Sequence, residues 1–152
     1  MTKLVYTPND EPYLGRGSVY HFDQIIASCL ELNQKVSEML SGQDKITKLQ
    51  EATKQLIPHA INLSLTIREL VRQGYLYGAV VLMRPLIERT AIVNYLDQRP
   101  DALKIWEDGW NRNERPKLTD MLQILSGENL SQDKTQEIIT LYNHIVHGDP
   151  AG

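Results

Sequence analysis

The sequence contains one cysteine, Cys29, and one phenylalanine, Phe22, among its 152 residues, and its longest apolar run, Ala79–Met83, is cut short by Arg84. A lone cysteine excludes an internal disulfide. At an apolar helical position it reads as a core thiol in a reducing compartment. A run that short is far below the ~20 apolar residues that span a bilayer, and Met1–Pro8 lacks the apolar stretch of a secretory leader. These absences together predict a cytoplasmic protein that does not enter a membrane. Strand signatures are missing too: no run alternates apolar and polar residues between turn signals, and no internal repeat or low-complexity tract occurs.

Charge of one sign is also scarce. The formal net charge is −3, which excludes a protein-wide nucleic-acid surface. The distribution is uneven, however. Residues 43–117 hold 12 Lys/Arg against 9 Asp/Glu, whereas residues 118–152 hold 1 against 5. A local basic cleft is compatible with that balance.

What is present is helical periodicity. With 41% hydrophobic and 23% charged residues, the composition is that of one ordinary globular domain. Residues 1–17, with Pro8, Pro12, Gly15 and Gly17, read as an irregular lead-in. Val19, Phe22, Ile25, Ile26, Cys29, Leu32, Val36, Met39 and Leu40 then recur every three or four residues, which predicts a helix capped by Ser18 and closed by an αL Gly42. A second helix is expected from Asp44 to Gln73, kinked or divided at Pro58. A third, apolar nearly all round and therefore central, is expected from Tyr75 to Asp97, bent at Pro85 and ended by Pro100. Short helices are expected over Asp101–Trp110 and, capped by Thr119, up to Leu125. Ser131 caps a last one running to His147. The expected fold is all-α: a single-domain up-and-down bundle of four main helices with short helical inserts.

Two places break the packing pattern. Arg84 and Glu88, at i and i+4, share a face of the central helix with Tyr77, Val81, Ala91 and Tyr95. Charges on an apolar face must be paired, since an unpaired buried charge costs several kcal/mol, roughly. They form either a structural ion pair or a site whose guanidinium takes phosphate or carboxylate. The second place is the chain Leu141–Pro150, with Tyr142, Asn143, His144 and His147 before a Gly/Asp/Pro stop. His147 has the pKa range of a neutral-pH acid/base. The i, i+3 histidines could share a metal with Glu88 or His59, but no Glu-x-x-His pair supports this, and no metal or other cofactor is expected. Centring the last helix on Ile138, Tyr142 and Ile145 turns Asn143 and His147 to the opposite, polar side. Trp106 and Trp110, with Arg112 and Arg115, are either a packing edge or an aromatic-basic surface. No phosphate-cradling glycine loop and no nucleophile triad is legible.

The stretch from Tyr75 to Asp149 resembles the HEPN superfamily of small helical bundles. The likeness is carried by Leu82, Met83, Arg84, Pro85, Leu86, Ile87 and Glu88 through Tyr95 and Leu96, and by Tyr142 to Gly148. In that superfamily an Arg, usually followed by a polar residue, precedes a His on the last long helix. These residues cleave RNA without metal, commonly at a cleft between two subunits. The resemblance implies a homodimer acting on RNA or a nucleotide, with His147 catalytic, Asn143 in the polar position and Tyr142 where the Arg would stand. Arg84 would then supply the cation, oriented by Glu88, with Tyr142 and His144 binding or orienting. The alternative is a non-catalytic dimeric interaction or nucleotide-binding module in which Arg84–Glu88 is structural.

Overall fold

The computed structural model describes residue 13 and residues 15–111, 113–126 and 132–147, with the side chains of 126, 132 and 145–147 outside the description. Residues 1–12 and 14 of the expected lead-in over residues 1–17, the Ser131 cap, Arg112 and the exit after His147 lie outside the described residues. The described chain is all-helical. Its helices are α1 (Gly17–Ser41), α2 (Lys48–Arg72), α3 (Leu76–Gln98), α4 (Pro100–Glu107), α5 (Leu118–Ser126) and α6 (Gln132–His147). None is long and apolar enough to cross a membrane.

Helix α2 begins on a reciprocal cap. Thr47 Oγ1 accepts from the Gln50 backbone N–H at 3.2 Å, and the Gln50 side chain accepts from the Thr47 N–H at 2.7 Å. Two backbone donors that would otherwise lack partners are thereby satisfied, and the start moves to Lys48 from the expected Asp44. We expect Thr47→Ala to lower unfolding stability by about 1 kcal/mol in urea titrations, with little change in the folded far-UV signal.

Both internal prolines are accommodated. Helix α2 runs unbroken through Pro58 and α3 through Pro85, each ring removing one backbone bond without dividing its helix. Gly74, at φ +80°, closes α2 as expected and, with Gln73 and Tyr75, turns the chain straight into α3, so the two long helices lie against each other. Their close approach depends on Gly78, where a Cβ would stand 3.4 Å from the Leu70 side chain. Pro100 does not merely stop α3; it is the first residue of α4, where a missing N–H costs nothing. Two expected N-caps are not used: α1 starts at Gly17 behind Arg16, which puts Ser18 inside it, and Thr119 lies inside α5. Gly42 does close α1, but with φ −93°, outside the left-handed region.

The core sits at one end of the α2–α3 pair. Ala52 and Leu56 of α2, Ile92 and Leu96 of α3, Leu103 of α4 and Met121 of α5 form one buried cluster, with Trp106 and Trp110 packed on its edge. Among the described residues α5 and α6 contact α3 but not α2, and α2 is the only helix that α1 contacts. An ion pair from Arg68 Nε to Asp23 Oδ1, 2.5 Å, ties α1 down, and Ile26 is its sole buried side chain. The expected apolar stripe of α1 is therefore mostly uncovered, and Cys29 is exposed rather than a core thiol.

Candidate functional site

Helix α3 carries Arg84 and Glu88 one turn apart on the side that meets α6, and the structure adds two partners from elsewhere in the chain. Arg84 Nε donates to Glu88 Oε1 at 3.4 Å. Its Nη1 donates to Asn143 Oδ1 on α6. Arg115, in the connector between α4 and α5, reaches the second Glu88 oxygen, Nη2 to Oε2, at 3.5 Å. Two guanidiniums thus share one carboxylate, and the cluster keeps a net positive charge.

Arg84 and Glu88 are not sealed away: their side chains retain 32% and 25% of their exposure, and Arg115 retains 50%. The Arg84 stem lies over an apolar floor that includes Ile87, Leu118, Leu122, Ile139 and Tyr142, around a crevice of only about 10 Å³. That is at the lower limit for a single water. The stem is packed while the head meets solvent, which presents a charged fork at the surface with little freedom to swing. Among the described residues the Nη2 end of Arg84 has no partner, so its N–H groups point to no internal acceptor there.

Tyr142 borders this floor, its hydroxyl donating to Met83 Sδ at 3.6 Å. Burial pushes its phenol above the usual 10, because the charged phenolate is disfavoured away from water. At neutral pH it is a neutral hydrogen-bonding group, able to position but not to supply a positive charge.

Helix α6 is rotated from the expected orientation. Its inward face is Thr135, Ile139, Tyr142 and Asn143: Thr135 is fully buried and the other three are half-buried, whereas Ile138 is 39% and Leu141 60% exposed. Asn143 faces α3 rather than the opposite side. A hydrophobic-stripe reading turns polar residues outward, but a half-buried guanidinium on the neighbouring helix draws an amide inward. His144, on a different face, lines a separate shallow groove of about 530 Å³ with Asp133, Gln136, Glu137, Thr140 and Leu141, and does not join the Arg84 cluster. The side chain of His147 lies outside the described residues; its backbone is the last of α6, one helical turn beyond Asn143.

The other candidate sites are not assembled. Among the described residues no group of three or more His, Cys, Asp and Glu could hold a metal ion, and His59 is exposed on α2. Trp106 and Trp110 line an open groove of about 510 Å³ together with Glu51, Gln55 and Glu107. Trp110 also stacks edge-on against Tyr95, with ring centroids 6.3 Å apart. The carboxylates make that groove unlike an aromatic-basic surface, and Arg115 turns to Glu88 instead. Arg115 is the member of the Arg84 cluster that sequence reasoning attached to the wrong partners. No local pattern could have found it, because the contact joins residues 27 apart.

Comparison of the chain with protein-family models, with curated proteins and with solved structures finds no match in any of the three.

Proposed function

We propose that the Arg84–Glu88–Asn143–Arg115 cluster is an anion site that takes the phosphodiester of RNA, in a HEPN-like helical bundle that cleaves it without metal. The observation that carries this reading is the partly exposed guanidinium of Arg84, held from two sides by Glu88 and Asn143 within one turn of His147 on α6. A fork held in place is suited to a phosphate oxygen, because little orientation remains to be lost on binding. Arg115 adds a second positive charge beside it.

In this reading His147 moves the proton between the attacking 2′-hydroxyl and the leaving 5′-oxygen. Arg84 takes the place of the family's helix-borne arginine, which Tyr142 vacates, and stabilises the added negative charge at phosphorus. Asn143 holds Arg84 in position, and Glu88 orients it.

The test is RNA cleavage by purified protein in EDTA, wild type beside His147→Ala. We expect cleavage to persist in chelator and to fall at least 100-fold in the variant, the scale of general acid/base loss. Cleavage that survives His147→Ala would sink the assignment. RNA or nucleotide bound but never cut would favour the non-catalytic module, with Arg84–Glu88 clamping α3 to α6. That second reading has one observation in its favour: the carboxylate and amide already satisfy part of the guanidinium.

A further inference from the structure

Helix α1 has two stripes of mostly apolar residues, and the second is largely exposed, with only Phe22 half-buried and Val36 bordering the cleft to α2. Val19, Ile26, Asn33 and Leu40, seven residues apart, are half-buried or buried and form a stripe turned to α2, the one helix that α1 contacts among the described residues; Phe22 and Asp23 beside it are half-buried too. Beside it runs a second stripe, Phe22, Ile25, Cys29, Leu32, Val36 and Met39. Its spacing is 3, 4, 3, 4 and 3, which is the a/d seam of a heptad repeat sustained for two and a half heptads. Phe22 is half-buried and Cys29 exposed. Ile25 is 59%, Leu32 60%, Val36 46% and Met39 68% exposed. A seam of this regularity normally has a helix lying on it.

We propose that this seam pairs antiparallel with the same seam of a second copy of the chain, forming a dimer through α1. Two observations select a second copy as the occupant. The spacing reads the same from either end, so an antiparallel two-fold placed between Leu30 and Glu31 matches every position. Phe22 meets the partner's Met39, Ile25 the partner's Val36, and Cys29 the partner's Leu32. Each layer then sets an a residue against a d residue, the arrangement antiparallel coiled coils use. The area also fits. The six side chains offer about 600 Å², so a pair of copies would bury about 1,200 Å² in total, the lower end of stable interfaces.

The flanks do not oppose association. Lys35 is neutralised by Glu31 at 2.6 Å on its own helix, and Asp23 is held by Arg68. The surface is on a helix that, among the described residues, contacts neither α3 nor α6, which carry the Arg84 cluster. A dimer of this kind therefore leaves each Arg84 site whole within one copy and does not depend on the RNA reading.

Sedimentation equilibrium on the full chain from micromolar to about 200 µM tests the proposal, alongside Leu32→Lys and, as a control on another face of α1, Gln24→Lys. We expect a wild-type dimer, an unchanged control, and dissociation at least 100-fold easier in Leu32→Lys with the same helical circular dichroism. The register is tested by Leu32→Cys, which places a second thiol opposite Cys29 of the partner. It should give a reducible covalent dimer on mild oxidation, whereas wild-type Cys29 and its copy, about 4.5 Å out of step along the axis, should not crosslink. A wild-type chain that stays monomeric, or a dimer untouched by Leu32→Lys, would overturn the proposal. Ready crosslinking of wild-type Cys29 to itself, or none in Leu32→Cys, would overturn the antiparallel register.

Discussion

Arg84→Ala is expected to reduce the proposed RNA cleavage by 100- to 1,000-fold, roughly the loss on removing one preorganised donor from a developing oxyanion. The expectation rests on how the guanidinium is held. Its Nε is engaged by Glu88 at 3.4 Å and its Nη1 by Asn143, while its stem covers an apolar crevice. A bound phosphate would meet a group whose direction is already set. Lysine carries the charge but not the planar fork, so it cannot hold Glu88, Asn143 and phosphate together. Arg84→Lys should therefore recover RNA binding at low salt while restoring less than a tenth of the cleavage rate. Single-turnover cleavage at several salt concentrations separates the two effects. An Arg84→Ala protein that folds and cleaves within threefold of wild type would reduce the cluster to a clamp between α3 and α6.

The largest expected loss of stability is at the other end of α3. Leu96 is 1% exposed and belongs to the cluster that joins α2, α3, α4 and α5. Leu96→Ala should cost about 3 kcal/mol, from lost burial and from a cavity that four helices cannot all close. For a chain of this length that corresponds to a fall of ~10 °C in Tm, readable by thermal circular dichroism. Because Leu96 itself lies about 18 Å from Arg84 along α3, the proposed cleavage per folded molecule should be unchanged at low temperature. A loss below ~1 kcal/mol would mean that the helices repack freely around this position.

Several elements were legible because their cause is local. The α2–α3 turn could be read from Gly74, whose φ of +80° is open to glycine without strain. The apolar surround of α3 marked it as the helix with neighbours on several sides, and it does meet α2, α4, α5 and α6. The Thr47–Gln50 cap is present in the sequence as Thr-x-x-Gln, three residues beyond the start expected at Asp44. The Arg84–Glu88 pair could be anticipated from i, i+4 spacing alone. Its neighbours could not, because Arg115 and Asn143 reach it across 27 and 59 residues.

Periodicity thus determined by itself that the chain is helical, roughly where most helices run, and that Arg84 and Glu88 share a face. Those properties follow from backbone hydrogen bonds and side-chain spacing within a few residues. Tertiary structure decided which face of each helix is covered. It turned α6 so that Asn143 meets Arg84, and it left a heptad seam of α1, with Cys29 in it, on the surface. An apolar stripe records that a residue can be buried, not which neighbour buries it. That choice depends on how many helices compete for one core, and here α2 and α3 fill theirs with α4 and α5, leaving α1 only one flank of α2.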